Sequence, residues 1–214
     1  MKIHKIPQNV TTLIFDIDST LYTNDDYAYE QVDCQVREFA RIRNMSAEDA
    51  RTLVRDFRKD FAEKNDGKKI SLGNLLTNFG ISIEQSVQWR NELMRPEDFL
   101  VRNENLISEL KILSKKYKLI CVTNNPVKPA RKTLEVIGIS DFFEVIVGLD
   151  TCYKSKPAIE PFEKALELTN SDAKNCIAIG DRFDLDVQLP IQMGMGGIEV
   201  SGVEDLYDLH TLLK

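Results

Sequence analysis

The strongest constraint on the fold is a regular alternation of helix and strand patterns in the second half of the chain. From Asn103 onward, segments with apolar residues every three or four positions alternate with short apolar runs. Strands that are apolar throughout and joined by helices are typical of a parallel sheet covered on both faces. We therefore predict an α/β fold, with strands at Lys118–Val122, Phe143–Val147, Cys176–Ile179 and Gly197–Val200 and a final helix over Val203–Leu213.

An all-helical stretch interrupts this alternation directly behind the first strand. Thr12–Phe15 has the apolar, β-branched character of a buried strand, but the residues from about 25 to 94 give helical patterns only. Ser46 followed by Asp49 resembles a capping box, which marks a helix start. We predict four helices in this stretch, forming a helical cap of residues 22–96 inserted into an α/β core of residues 1–21 and 97–214.

Composition and charge narrow the classes of partner. The net charge of −6 argues against a nucleic-acid polymer or an anionic membrane as the main partner. No apolar run approaches the length of a membrane span, and the N-terminal residues lack a signal-peptide pattern. The cysteines are scattered rather than paired, so we expect a cytoplasmic protein. The oligomeric state stays open.

Two aspartates follow directly after the first predicted strand, Thr12–Phe15. Asp16 and Asp18 follow the apolar run and are two positions apart, so that they share a side if the strand continues that far. Ligands of open α/β sheets gather at the carboxyl ends of strands. Two carboxylates this close repel each other unless a cation or a shared proton separates them. Taken alone, the pair is also typical of a polar exit from a strand.

Three later segments add polar groups behind predicted strands. Thr123, Asn124 and Asn125 offer uncharged donors to an anion, and Lys156 precedes a proline-started helix, where phosphate binding is favoured. Asp181 and Asp186 follow the strand at Cys176–Ile179 and could complete an oxygen cage for Mg²⁺. Each segment alone also fits an ordinary turn, a solvated lysine or an exposed acidic loop.

The order of these segments resembles the haloacid dehalogenase superfamily. Its four motifs match Asp16 with Asp18, then Thr123, then Lys156, then the acids of the last segment, and the resemblance covers nearly the whole chain. It implies a Rossmann-like core with an inserted cap. Asp18 argues against dehalogenation, because true dehalogenases lack an acid there. The fragment Phe15–Tyr22 is most similar to the pyrimidine 5′-nucleotidase branch, although Ser19 stands where asparagine or glycine is commoner.

The resemblance also implies roles for the motif residues. Asp16 is the expected nucleophile and Asp18 the expected general acid and base, while phosphate is expected to bind Thr123, Asn124 and Lys156. Mg²⁺ is the expected cofactor. Its expected ligands are Asp16, the backbone carbonyl of Asp18, Asp181 and Asp186, with Asp184 as a competitor for the last position.

The expected function is that of a Mg²⁺-dependent phosphatase of small phosphorylated metabolites, with nucleoside monophosphates favoured. A sugar phosphomutase uses the same motifs and stays open as an alternative. A phospho-accepting signalling domain is disfavoured, because such domains are shorter and lack a cap. We expect the cap to determine substrate choice. The candidates for substrate contact are Arg37, Arg41, Arg55 and Lys59, which also fit a solvated helix face. Tyr27 and Trp89 could stack on a base, although Trp89 fits packing in the protein core better.

Overall fold

The structure is a computed structural model that describes residues 1–213. The chain divides into two compact units, one formed by Met1–Asn24 with Pro96–Lys214 and the other by Asp25–Arg95. The first unit holds the sheet and the second is helical. The assignment of residues 22–96 to a cap domain stays a prediction.

The first unit is built on one six-stranded sheet. Its order is β1–β6–β5–β2–β3–β4. Strands β2 to β6 run parallel to one another, which confirms the predicted α/β fold with a Rossmann-like parallel sheet. The strands are β1 Lys2–Lys5, β2 Thr12–Phe15, β3 Lys118–Val122, β4 Val145–Val147, β5 Cys176–Gly180 and β6 Gly196–Glu199.

Strand β1 was not predicted from the sequence. It lies at the sheet edge and pairs antiparallel with β6, with Lys2 opposite Glu199. Its residues are mostly exposed and it carries two lysines, so it has no apolar run by which a strand is recognised. Exposed, charged edge strands of this kind discourage pairing with other chains.

The helical unit contains the four predicted helices. They are α1 Asp25–Ile42, α2 Ala47–Lys64, α3 Leu72–Thr77 and α4 Ile83–Leu93. The predicted helix start at Ser46 is confirmed: Ser46 is the N-cap residue of α2, and its hydroxyl accepts a hydrogen bond from the backbone N–H of Asp49 at 3.1 Å. The apolar faces form one core that includes Phe39, Leu75 and Trp89, so Trp89 packs inside its own unit.

A buried carboxylate in this helical unit is fully paired. Asp33 on α1 accepts hydrogen bonds from Arg51 at 2.7 Å and 2.9 Å and also binds Arg37. The hydrogen bonds from Arg51 outweigh burial and, together with Arg37, lower the pKa of Asp33 to about 2. Arg41, on the same helix, forms a separate ion pair with Glu38.

The helices of the sheet unit follow its strands. They are α5 Glu104–Leu113, α6 Val127–Val136, α7 Leu149–Cys152, α8 Glu160–Thr169 and α9 Gln188–Gln192, with a π-helical turn at Phe183–Val187 ahead of α9. The short helix α7 is absent from the sequence prediction. Helix α8 begins at Glu160 rather than at Pro157, and Pro161 lies in its first turn. None of the helices among residues 1–213 combines the length and apolar character needed to cross a bilayer.

The predicted final helix over Val203–Leu213 is wrong. Two 3-10 turns, Val203–Leu206 and Leu209–Thr211, stand in its place. The backbone N–H of His210 donates to the Glu109 carboxylate of α5 at 2.6 Å instead of to a helical carbonyl. A tertiary contact with α5 therefore replaces the helical hydrogen bond at this point, and the sequence pattern carries no sign of it.

Candidate active site

The sheet order creates a crevice at the carboxyl end of β2. The chain leaves β2 for β3 and β4 on one side and returns to β5 and β6 on the other. Open α/β sheets bind ligands at such a switch point. Phe15 pairs with Cys121 and with Ile179, so β2, β3 and β5 end at the same edge of the sheet. The backbone N–H of Asp16 donates to Ile179 at 2.8 Å, which ties the two acid-bearing loops together.

Three of the predicted acids meet at this edge. Asp16, Asp181 and Asp186 each bring one carboxylate oxygen within 4.8 Å of the other two. Asp16 and Asp186 are buried and Asp181 is half-buried. Asp184 is exposed and lies outside this group. The acid cluster, as we call Asp16, Asp181 and Asp186, therefore uses the later of the two competing acids.

The close approach of Asp186 explains why a glycine, Gly180, precedes Asp181. A Cβ atom on Gly180 would lie 2.4 Å from the Cβ of Asp186 and 2.7 Å from its Oδ2. The missing side chain leaves the space that the Asp186 carboxylate occupies. Asp186 is further held by the backbone N–H of Arg182, which donates to Oδ2 at 3.0 Å.

Lys156 supplies the ammonium group of the cluster. Its Nζ donates to Asp16 Oδ1 at 2.7 Å and to Asp186 Oδ1 at 2.6 Å, and its side chain is 2% exposed. Asn124 holds the backbone of this lysine: its Oδ1 accepts the Lys156 N–H at 2.7 Å and its Nδ2 donates to the Lys156 carbonyl at 3.2 Å. Asn124 thus positions Lys156, and its predicted contact with phosphate stays a prediction.

The carboxylates of the cluster lack enough positive charge. Burial raises the pKa of Asp16 to about 8; the Lys156 ammonium opposes this shift, and the charges of Asp186 and Asp18 add to it. Burial and Asp186 also raise the pKa of Asp181. Burial lowers the pKa of Lys156, but the charges of Asp16 and Asp186 overcome it and raise the pKa to about 12. Three carboxylates and one ammonium leave two negative charges uncompensated when all are ionised.

This donor set fits a divalent cation. Mg²⁺ takes oxygen ligands at about 2.1 Å in an octahedron, which places ligand oxygens roughly 3 to 4 Å apart. The oxygens of the acid cluster lie close enough for this arrangement, and the two uncompensated charges match a 2+ ion. The side chain of Asp18 is not part of the group, so its predicted contribution is confined to the backbone carbonyl.

Asp18 is held by a separate set of neutral donors. Its Oδ1 accepts the Tyr22 hydroxyl at 2.5 Å, and its Oδ2 accepts Asn125 Nδ2 at 2.9 Å and Thr123 Oγ1 at 3.4 Å. Thr123 is buried and its hydroxyl also accepts the backbone N–H of Asn125 at 3.1 Å. Ser19 adopts the left-handed region, with a φ of +57°, where asparagine or glycine is usual.

Tyr22 is absent from the site residues predicted from the sequence, and Asn125 is predicted only as one of the uncharged donors after the strand Lys118–Val122. Tyr22 lies four positions after Asp18, which is the spacing of one helical turn, and Asn125 follows the predicted Thr123 and Asn124 directly. These spacings are the only sequence signals that could have identified them as partners of Asp18.

Comparison with known proteins identifies the family. A model of the haloacid dehalogenase-like hydrolases matches residues 10–194. The chain is 27% identical over 177 residues to the pyrophosphatase PpaX of Listeria welshimeri, covering 81% of this chain and 76% of that protein. It is 23% identical over 215 residues to the 5-amino-6-(5-phospho-D-ribitylamino)uracil phosphatase YigB of Escherichia coli, covering 91% and 85%.

Solved structures share the fold. A phosphatase of this superfamily from Thermococcus onnurineus has a TM-score of 0.64 at 21% identity and covers 95% of this chain and 98% of its own. The hydrolase YfnB of Bacillus subtilis, solved with bound magnesium, has a TM-score of 0.60 at 19% identity, covering 97% and 100%. On the family match and the motif order together, the chain belongs to the haloacid dehalogenase-like hydrolases.

Proposed function

We propose that this hydrolase is a Mg²⁺-dependent phosphatase that cleaves small phosphomonoesters through an aspartyl-phosphate. The observation that carries the proposal is the contrast between two acids only two positions apart. Asp16 lies in a buried, under-neutralised cluster with Lys156, whereas Asp18 is held outside that cluster by neutral donors. This contrast supports a nucleophilic role for Asp16 and a proton-transferring role for Asp18.

The proposed reaction has two steps. An oxygen of Asp16 attacks the phosphorus, the bond to the ester oxygen breaks, and Asp18 gives its proton to the departing alkoxide. Asp18 then takes a proton from water, whose oxygen attacks the phosphorus; the bond between phosphorus and the Asp16 oxygen breaks, which releases inorganic phosphate and restores the Asp16 carboxylate. Splitting hydrolysis in this way replaces one difficult displacement by two easier ones.

The remaining polar groups are proposed to stabilise charge on the phosphoryl oxygens. Lys156 uses two of its three N–H donors on Asp16 and Asp186, which leaves one for a phosphoryl oxygen. Thr123 lies beside Asp18 and is the second proposed phosphate ligand. A magnesium ion held by the acid cluster would supply further positive charge to the phosphoryl group.

The substrate class is proposed from two sources. The relatives named above act on pyrophosphate or on a phosphorylated ribitylaminouracil, as their names state. A phosphoglycolate phosphatase of Aquifex aeolicus is 33% identical over 75 residues, which cover 35% of this chain and 35% of that protein. The preference for nucleoside monophosphates rests on the likeness of Phe15–Tyr22 to pyrimidine 5′-nucleotidases. A cytoplasmic location is part of the proposal, and it is supported by four free cysteines.

The direct test replaces the proposed nucleophile. Asp16→Asn keeps the size of the side chain but removes the attacking oxygen's charge, so we expect phosphate release from 4-nitrophenyl phosphate with added MgCl2 to fall by about 10³-fold or more. Asp184→Asn is the matched control, because Asp184 is exposed and outside the cluster, and it should keep wild-type activity. Wild-type turnover by Asp16→Asn would overturn the proposal.

A screen of phosphorylated metabolites then addresses substrate choice. Nucleoside monophosphates, sugar phosphates and phosphoglycolate would be compared under the same conditions, with EDTA as a metal-free control. The proposal expects the highest kcat/KM on a nucleoside monophosphate. A phosphate burst that stalls unless a sugar bisphosphate is added would favour a phosphomutase instead.

A further inference from the structure

Both oxygens of the Asp18 carboxylate are held, and their partners differ in kind. Oδ1 accepts the Tyr22 hydroxyl at 2.5 Å. Oδ2 accepts the Asn125 amide at 2.9 Å, with the Thr123 hydroxyl at 3.4 Å. A carboxyl group with a donor on each oxygen cannot rotate about its Cβ–Cγ bond without breaking both sets of hydrogen bonds. Tyr22 is therefore half of a clamp on the proposed acid and base.

The chain around Tyr22 is anchored on both sides. Before it, the backbone N–H of Leu21 donates to the Ile17 carbonyl at 3.0 Å and closes the turn that brings Tyr22 back over Asp18. After it, Thr23 Oγ1 accepts the Val203 N–H at 3.0 Å. The Tyr22 side chain is buried, with 4% of its surface exposed, and a tyrosine has few rotamers to choose from. Its hydroxyl is consequently a fixed reference point for the carboxylate.

The two partners also differ in what they can do with a proton. An amide NH2 group only donates hydrogen bonds, so it keeps Oδ2 of Asp18 as an acceptor. A hydroxyl both donates and accepts, so Tyr22 can remain bound to Oδ1 whether or not that oxygen carries a proton. Tyr22 thus suits a carboxyl group that acts first as an acid and then as a base.

We propose that Tyr22 is a positioning residue that holds the Asp18 carboxyl in the orientation needed to pass a proton to the leaving group. This role rests on the proposed phosphatase function, in which Asp18 is the acid. Tyr22 acts through Asp18, and the proposal gives it no contact with substrate. Its loss should therefore affect substrates according to how much their leaving groups need a proton.

The test compares two esters in the Tyr22→Phe variant with added MgCl2. Glycerol 2-phosphate has a poor alkoxide leaving group that needs a proton, whereas 2,4-dinitrophenyl phosphate releases 2,4-dinitrophenolate, a stable anion that needs none. We expect kcat/KM for glycerol 2-phosphate to fall on the order of tenfold, as for the loss of a hydrogen bond to a charged group. The value for 2,4-dinitrophenyl phosphate should change less than about twofold, and the loss should lie in kcat rather than KM.

Tyr117→Phe is the matched control. The Tyr117 hydroxyl is also buried and donates to the Leu213 carbonyl at 2.5 Å, but it lies in no part of the site. It should leave both substrates unaffected. Asn125→Ala removes the amide donor to Asp18 Oδ2 and should cause the same selective loss on glycerol 2-phosphate. This second variant tests the proposal if Tyr22→Phe fails to fold.

The outcomes separate this inference from the function on which it rests. A wild-type enzyme that releases no phosphate from either ester overturns the phosphatase and this role with it. With an active wild type, an equal loss of kcat/KM for both esters in the folded variants, or no loss of kcat/KM for glycerol 2-phosphate, overturns the positioning role alone. A selective loss supports it.

Discussion

The two units treat a buried aspartate in opposite ways. In the helical unit, Asp33 binds two guanidinium groups, and its pKa is lowered to about 2. In the sheet unit, Asp16 shares one ammonium group with a second buried acid, and its pKa is raised to about 8. Both side chains are nearly inaccessible to solvent, at 5% and 4% exposure. Low solvent exposure is therefore common to both side chains, but burial dominates the pKa of Asp16, whereas hydrogen bonds from guanidinium groups dominate the pKa of Asp33.

We interpret this difference as one between an acid with a structural role, Asp33, and an acid with a proposed catalytic role, Asp16. A buried charge is tolerated when partners neutralise it, and Asp33 has those partners within its own unit. When all three of its acids are ionised, the acid cluster of the sheet unit has two negative charges more than Lys156 can balance. Perturbed pKa values of this kind concentrate at functional sites. Our account is that the cluster is completed by a divalent cation and a phosphoryl group.

Among the changes that test this contrast, the largest effect is expected from removing the Lys156 ammonium group that binds the acid cluster. Lys156→Met keeps the length of the side chain but leaves Asp16 and Asp186 without a counter-charge and removes a proposed phosphoryl donor. We expect kcat/KM for 4-nitrophenyl phosphate to fall by about 10² to 10³-fold. Steady-state kinetics with added MgCl2 would measure it.

Lys164→Met is the control for this change. Lys164 lies on α8 and pairs with Glu167 at 2.9 Å on the surface, so its loss should leave kinetics unchanged. If Lys156→Met retained wild-type kcat/KM, activity would not depend on the Lys156 ammonium. The proposed catalytic importance of charge balance at Asp16 would then be wrong.

A smaller effect, on stability, is expected in the helical unit. Asp33→Asn removes the charge that Arg51 and Arg37 bind, and we expect the free energy of unfolding at pH 7 to fall by about 2 kcal/mol. Urea denaturation followed by circular dichroism would measure it. Asp56→Asn, whose surface partner is Arg55, is the control and should cost less.

The pH dependence of this loss has a definite sign. The pKa of Asp33 is lower in the folded protein than its ordinary value of 3.8, so its contribution is complete above about pH 4 and disappears as the pH falls towards 2. The difference between wild type and Asp33→Asn should shrink over the same range. A difference that stayed constant from pH 7 to pH 2.5 would show that the charge of Asp33 is not what stabilises the unit.

Much of this architecture is predictable from local patterns. The apolar runs of β2, β3 and β5 and the cap at Ser46 give their elements directly, because burial and capping act over a few residues. The order of the acids, Thr123 and Lys156 also places them at one edge of a parallel sheet once that sheet is assumed. Their roles as nucleophile, proton carrier and ligands stay predictions.

The remainder depends on contacts distant in sequence. Strand β1 exists because β6 offers it an edge, and the predicted last helix is replaced because Glu109 accepts the His210 N–H. Asn124 contributes an amide, as its residue type suggests, but the amide binds the Lys156 backbone. Tyr22 escapes notice because the position of its hydroxyl follows from the fold of one turn, and no periodic pattern encodes it.

The binding of Mg²⁺ tests the central claim most directly. The melting temperature of EDTA-treated protein would be followed as MgCl2 is added, for wild type, Asp181→Asn and the exposed control Asp184→Asn. A ligand that binds the folded state raises its stability, by about 2.7 kcal/mol at a hundred times the Kd. We predict a rise for wild type and Asp184→Asn and none for Asp181→Asn. No rise in wild type, or an equal rise in Asp181→Asn, would contradict the account.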